Sequence, residues 1–320
     1  MEHGTIAGVE RPVSRLIQGT LRLHHVPDDE AFALFDAAFE IGYDAFDTAA
    51  VYSRGRSESL LGEWLERRGL RREVTIIDKG CHPAGDTPRM TPRDLEEDLR
   101  GSLERLRTDH VDLYVLHRDD PSVPVDEMVS ALNDQLRAGA IRAYGASNWT
   151  HERIRAASEY AKANGLVPFA ASSPGFSLAD PIRSWPRCLS LNRVADADAF
   201  EWYRANDLPF LAWSPLAGGF LTGRYTRENL HTFEIPGERQ VVDFYASEKN
   251  LQRLERLAAW SRERGLTLSQ AALAYVMSVP LNVYGVIGAR DRAELVESAS
   301  ALAVRLDERE LAALEGADDP

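Results

Sequence analysis

The sequence predicts an α/β protein in which eight parallel strands close into a (β/α)8, or TIM, barrel with extra loops at its C-terminal mouth. Three observations predict it. Eight short runs of β-branched or aromatic residues alternate with amphipathic stretches along the chain. Ionisable residues close several different strands, which is where barrel enzymes assemble their sites. The first strand is followed by Gly19-Thr20-Leu21-Arg22-Leu23, without the glycine cluster by which an open, doubly wound sheet holds a dinucleotide. A doubly wound sheet competes on the alternation alone; the strand ends and the missing glycines favour the barrel. No linker or low-complexity tract interrupts the chain, so residues 1–320 are expected to form one domain.

Strands are expected at 15–19, 44–47, 74–79, 111–117, 141–147, 168–173, 208–214 and 282–287, each a short apolar run bounded by turn residues. Between them the 3.6-residue spacing of apolar positions predicts helices over 29–41, 57–68, 91–106, 125–138, 150–164, 196–206 and 246–264. The second of these opens on a Ser57-Glu58 cap. Thr91-Pro92-Arg93-Asp94 supplies a cap, a proline at the first helical position and an early acid. Gly139 has the place of a helix C-terminal stop. The stretch 215–245 is long for a connection and contains Gly218-Gly219, so it is expected to be a loop covering the mouth. The tail after Leu302 is expected to end in a packed helix.

A formal charge of −13, from 37 basic and 50 acidic residues, argues against general binding to nucleic acid or anionic membranes. No apolar run approaches the ~20 residues of a membrane span, and the first ten residues lack the pattern of a signal peptide. A cytoplasmic protein is the expectation. Cys81 and Cys188 are too few for a disulfide framework or a cysteine metal site. Cys81 lies just past Lys79; a buried, inert thiol is the favoured reading over a reactive one.

The residues that close the strands carry chemistry. Asp47 ends one run, Tyr52 follows five residues later, Lys79 closes the next strand and His117 closes Val111-Asp112-Leu113-Tyr114-Val115-Leu116-His117. Reducing a carbonyl requires a hydride donor, which no side chain provides, and an acid for the developing alkoxide. Tyr52 suits the second task if a contacting cation favours its phenolate. Lys79 is that cation, Asp47 the group that fixes it, and His117 the group that orients and polarises the carbonyl oxygen. Taken singly, these residues read more readily as an Asx turn, an interface aromatic, a surface charge and a satisfied rim histidine. Their joint placement at strand ends selects the reductase.

In this order and spacing the constellation resembles the aldo-keto reductases, and the resemblance extends over nearly the whole chain. Besides the Asp47, Tyr52, Ser57-Glu58 box and the segment ending at His117, Ser147-Asn148 resembles the family's pair that binds the nicotinamide amide. Ser173 is the nearest match to the amide side chain common in the next strand. Trp213-Ser214-Pro215-Leu216-Ala217-Gly218 resembles the stretch where an aromatic stacks on the nicotinamide ring and the backbone holds the pyrophosphate. Gly288, Arg290, Glu294, Glu297 and Ser298 resemble the segment for the adenosine end, with Arg290 beside the phosphate and Glu297 on the adenine amino group. Gly19 and Thr20 complete the expected cofactor contacts. NADPH is the cofactor implied by family habit.

Three positions depart from the pattern: Ser173 is shorter than the usual amide, Ser298 stands where asparagine is usual, and Glu294 stands near the 2′-phosphate where relatives carry Arg or Gln. An acid there repels that phosphate, which keeps NADH in contention. Asp78, beside Lys79, is also unusual, and either perturbs the lysine or points to the other side of the strand. The substrate is expected to contact Leu21, Tyr52, Arg118, Trp149 and Trp185, a mixture suiting a sugar-like or aromatic carbonyl compound. The resemblance also implies a competing class, a non-catalytic regulatory subunit that senses the cofactor, since some relatives partner ion channels. A metal-dependent barrel enzyme is disfavoured because His24, His25 and His82 are not arranged with acids at strand ends.

Overall fold

The computed structural model describes residues 1–183 and 186–316, the side chains of His24 and His25 excepted. Its barrel strands are β1 (Leu16–Gly19), β2 (Ala45–Asp47), β3 (Thr75–Gly80), β4 (Val111–Leu116), β5 (Ile141–Ser147), β6 (Ala171–Ser173), β7 (Phe210–Trp213) and β8 (Val283–Ile287). Each pairs in parallel with its sequence neighbour. The ring closes where Val286 of β8 registers with Ile17 of β1 and Phe210 of β7 with Ser172 of β6. The predicted barrel is therefore the observed one.

Strand side chains alternate between two environments. Ile17, Ala45, Ile77, Leu113, Val115, Ala143, Ala171, Leu211 and Tyr284 form one buried cluster inside the ring. Leu16, Phe46, Ile76, Tyr114 and Tyr144 point the other way and pack under the helices. Both faces are covered, which is why these strands read as continuous apolar runs. The bottom of the barrel is plugged by an antiparallel hairpin, His3–Gly4 against Val13–Ser14, whose Ile6 and Val13 join the inner cluster.

The surrounding helices are α1 (Asp28–Ile41), α2 (Arg56–Arg68), α3 (Pro92–Leu106), α4 (Val125–Ala138), α5 (His151–Ala163), α6 (Ala197–Asn206), α7 (Pro236–Tyr245), α8 (Glu248–Glu263), α9 (Leu268–Ser278), α10 (Arg292–Ser300) and α11 (Glu308–Glu315). Trp64 of α2 shows how the layer is fixed. It is fully buried, tilts against Phe35 and Phe46 at 5.4 and 5.2 Å, and gives its indole N–H to Asp36 at 2.8 Å. Truncating such a ring costs about 3–5 kcal/mol. The Thr91–Asp94 capping box and the left-handed Gly139 stop (φ 76) form as expected.

Three readings are corrected, and of the two alternatives open for Asp78 the outward one holds. The Ser57-Glu58 cap does not form: α2 starts at Arg56 behind a left-handed Gly55, and the Ser57 hydroxyl donates instead to the Thr20 carbonyl at 3.0 Å. The loop expected at 215–245 contains α7, whose Pro236 start and apolar Val242, Phe244 and Tyr245 were its sequence signal. α9 went unassigned because it is apolar on nearly every side, from Ala271 to Val276, and shows no stripe. Asp78 shares the outer face of β3 with Ile76, so it faces Glu58 of α2 and Ser102 of α3 rather than the barrel interior.

Candidate active site

Counting up by two from the inner cluster gives the site. The same inward face that carries Ile17, Ala45, Ile77, Val115, Ala171 and Leu211 carries, one layer nearer the mouth, Gly19, Asp47, Lys79, His117, Ser173 and Trp213. The strand period thus lifts an acid, an amine and an imidazole into one ring at the C-terminal end. Lys79 Nζ lies 2.5 Å from Asp47 Oδ2, 3.0 Å from the Thr48 carbonyl and 3.4 Å from the Tyr52 hydroxyl. The Tyr52 and His117 rings meet edge to face at 5.7 Å. The four side chains that the sequence singled out are in contact.

Tyr52 reaches this position through a turn that ordinary residues avoid. Ser53 (φ 52), Arg54 (φ 57) and Gly55 (φ 87) are left-handed in succession, a conformation costing on the order of 1 kcal/mol or more for each non-glycine residue. The following turn of α2 pins it down. Arg56 donates to the Leu23 and Val26 carbonyls at 2.6 and 2.8 Å. Glu58, with no exposed surface, takes Arg105 Nε at 2.5 Å. The arginine arrives by lying over two glycines: a Cβ on Gly55 would sit 2.6 Å from Arg105 Cδ, and one on Gly101 2.9 Å from its Nη1.

Burial dominates the electrostatics. It pushes the Tyr52 phenol above its ordinary value, against the downward pull of Lys79. The sequence argument foresaw the cation but not the burial, so the expected net lowering does not occur. Burial likewise pushes Asp47 up. It works against the Lys79 charge, but Asp47 and Tyr52 outweigh it and hold the ammonium protonated above its usual range. Tyr52 is therefore a neutral phenol that accepts from a fixed cation.

His117 is held well below the ordinary histidine value, first by burial and then by Lys79, Arg118 and His82. It is neutral in the fold. The unfolded chain takes up a proton near pH ~6.5, so stability is full above that pH and is lost as pH falls through it. The expected loss between pH 7.5 and 5.5 from this residue is about 1 kcal/mol. Denaturant midpoints of wild type and His117→Gln at the two pH values check this: the variant should lose less, and equal losses would place the acid sensitivity elsewhere.

The segment after Trp213, expected to hold the cofactor pyrophosphate, continues directly from this ring. Ser214 (φ 54) precedes Pro215 and Leu216, and Ala217 (φ 51), Gly218 (φ 65) and Gly219 (φ 101) follow them as a left-handed run, the kind of turn that forms an anion cradle, although the Ala217 and Gly219 N–H groups already donate to the Ser214 and Leu216 carbonyls at 2.8 and 2.9 Å. A Cβ on Gly219 would meet nothing within 4 Å, so the cradle opens outward. Thr20 Oγ1, His117 Nδ1 and Trp213 Nε1 are buried without a partner among the described residues. The half-exposed glycine turn and the orphaned polar atoms fit a polar ligand. Arg22, which the sequence reading did not single out, lies against Gly288, its Cδ and Nε 3.6 Å from where a Cβ there would stand.

The other expected contacts are placed less simply. Ser147 Oγ donates to the Ser173 carbonyl at 2.8 Å and Ser173 Oγ to the Leu211 carbonyl at 3.0 Å. Asn148 donates to the His117 carbonyl and Ser147 Oγ, and accepts from Leu189 N–H at 3.0 Å. These three tie strand ends together, so an amide bound there shares or displaces those bonds. Glu294 is taken up by Arg290, accepting its backbone N–H and Nε at 2.8 Å each. Glu297 is half-buried and Ser298 buried on the same helix, α10.

Leu21 is 57% exposed at the mouth, as expected of a lining residue. Trp149 is not. It is fully buried, its indole donating to the Arg118 carbonyl at 3.2 Å with Arg153 over the ring at 4.5 Å. The preceding Asn148 is left-handed (φ 65) and turns the chain away from the barrel axis. Trp185 lies outside the described residues. His82, edge-on to His117 at 4.8 Å, and Cys188, in hydrogen-bond reach of Arg118, join the mouth instead. His82 was legible as a strand-end residue; Cys188 sits on a long connection whose path no local pattern fixes. Cys81 is buried, and burial pushes its thiol up, as expected of an inert cysteine.

Comparison with known proteins adds a lineage to this geometry. The family model described as "Aldo/keto reductase family" matches residues 15–319. An uncharacterized oxidoreductase of Bacillus subtilis, YrpG, is 32% identical over 96% of this chain and 93% of its own. A probable voltage-gated potassium channel subunit beta of Oryza sativa is 31% identical over 86% of this chain and 82% of its own. In three dimensions, an aldo-keto reductase of Klebsiella pneumoniae solved with NADPH superposes with a TM-score of 0.74 at 24% identity, covering 100% of this chain and 96% of that one. A thermostable aldo-keto reductase solved with the inhibitor epalrestat gives 0.75 at 24% identity, covering 99% of both chains. Among the described residues no helix is long and apolar enough to cross a membrane.

Proposed function

Because the chain belongs to the aldo/keto reductase family, we propose that it is an NAD(P)H-dependent reductase of a sugar-like or aromatic aldehyde or ketone, with Tyr52 as the general acid. The observation that carries the reading is the contact of Lys79 Nζ with both Asp47 (2.5 Å) and the Tyr52 hydroxyl (3.4 Å). A nicotinamide cofactor, when bound, supplies hydride to the carbonyl carbon. The chain supplies the rest. Neutral His117 donates a hydrogen bond to the carbonyl oxygen and polarises it. Tyr52 gives its proton to that oxygen as charge builds, and the adjacent ammonium lowers the cost of the phenolate left behind. The product is the alcohol, and Tyr52 regains its proton from solvent.

Gly19, Thr20, Ser147, Asn148, Ser173 and Trp213 are the proposed nicotinamide contacts, the 214–218 cradle the pyrophosphate site, and Gly288, Arg290, Glu294, Glu297 and Ser298 the adenosine site. The Klebsiella pneumoniae protein is solved with NADPH, and NADPH is the proposed cofactor. NADH competes for one reason: Glu294 already occupies the Arg290 donors that a 2′-phosphate would use. Glu294→Gln frees them. Its expected effect is an increase of about tenfold in the ratio of NADPH to NADH affinity, read by quenching of tryptophan fluorescence. An unchanged ratio would show that the phosphate never meets this pair.

A second reading, a cofactor-sensing regulatory subunit, is favoured by the likeness to the Oryza sativa channel subunit. Steady-state oxidation of NADPH or NADH with a panel of aldehydes separates the two: sustained turnover supports the reductase, and tight cofactor binding without turnover supports the sensor.

A further inference from the structure

We infer that the reductase site proposed above, on which this inference rests, selects substrates that carry an anionic group, a carboxylate or a comparable oxyanion, and that Arg118 is the residue that binds it. Arg118 follows His117 directly, and its Nη1 donates to the His117 carbonyl at 2.9 Å while its own carbonyl takes the Trp149 indole N–H. The guanidinium is thereby leashed beside the imidazole that faces the reacting carbonyl. It is half-buried, and its charge reaches Tyr52, His82, His117 and Cys188.

The charges around it do not cancel. Lys79 is matched by Asp47 at 2.5 Å. His117 and His82 are both held neutral, chiefly by burial, and burial keeps the Cys188 thiol protonated. The two acids next in sequence are engaged elsewhere: Asp119 pairs with Arg153 at 2.7 Å, and Asp120 accepts from Ser122 N–H and Oγ at 3.0 and 2.6 Å. Among the described residues no carboxylate stands within ion-pair distance of Arg118. In a chain with 13 more acidic than basic residues, an unmatched arginine at the rim of the reacting centre leaves one positive charge facing the ligand. Its planar fork suits a carboxylate, which can take two parallel hydrogen bonds. The surrounding negative chain would otherwise repel an anionic ligand, so this cation, the one set beside His117, favours accepting such a ligand.

The test presents an anion at two distances from the carbonyl, each against a neutral partner of similar size: 4-carboxybenzaldehyde against 4-formylbenzamide, and 4-oxobutanoate against 4-oxobutanamide. In wild type the charged member of at least one pair should be favoured in kcat/KM by roughly 10- to 100-fold. Arg118→Gln should abolish that ratio and Arg118→Lys restore part of it, with cofactor quenching confirming that the variants are folded. No preference in either pair, or a preference that survives Arg118→Gln, would overturn the inference and leave the reductase reading standing. If none of the four, and no member of the aldehyde panel, is reduced with either cofactor, the reductase reading fails. Fluorescence titration with benzoate and benzamide then decides the anion site: benzoate binding tighter, and only with Arg118 present, supports it, and equal binding ends it.

Discussion

Tyr52→Phe is expected to lower kcat/KM for carbonyl reduction by about 10²- to 10⁴-fold, the range a positioned general acid contributes. The ring stays, so its edge-to-face contact with His117 and the Lys79 charge over its face at 5.0 Å stay with it. Only the hydroxyl, 3.4 Å from Lys79 Nζ, is removed. Cofactor affinity should therefore change by no more than about twofold, because the proposed cofactor contacts lie on other segments. A variant that turns over like wild type would end the assignment. A variant that loses cofactor binding as well would make Tyr52 part of the cofactor site rather than the acid.

The second large effect concerns the pair beneath it. Asp47 and Lys79 are each only 6% exposed at their side chains. Breaking a buried pair from one side strands a charge and costs about 3–5 kcal/mol. Asp47→Asn and Lys79→Met should each lower the unfolding free energy read from guanidinium titrations by that amount. The double variant should regain most of it, since two neutral groups of similar volume leave nothing uncompensated. Turnover should stay lost in all three, because the phenolate of Tyr52 has no cation to lean on. A double variant as unstable as the sum of the singles would mean that the two residues do not act as a pair.

Much of the site was written in the strand pattern. Once Lys79 is taken to face inward, the period of two forces Asp78 outward, and the same counting places Asp47, His117 and Trp213 in one ring. What escaped the sequence is what depends on several segments at once. Trp149 looked like a pocket residue because it follows Asn148; the left-handed backbone at Asn148 sends it into the helix layer. The phenol of Tyr52 was read with its cation and without its burial. Glu294 was read against the 2′-phosphate, although its spacing of four residues from Arg290 already allowed the ion pair that forms. α9 was missed because a helix buried all round carries no stripe.

The arginine lying over two glycines has a consequence for anyone who would transplant this site. Gly55, Glu58, Gly101 and Arg105 come from two separate stretches of chain, yet none is free to vary by itself. A side chain at 55 or 101 collides with Arg105, and a shorter residue at 105 leaves the Glu58 carboxylate buried alone. Grafting the 42–62 stretch into another barrel without the matching end of α3 would import a carboxylate with no counter-charge beneath the very turn that presents Tyr52. The smallest portable piece of this enzyme is thus two neighbouring βα units taken together, not the motif that identifies it.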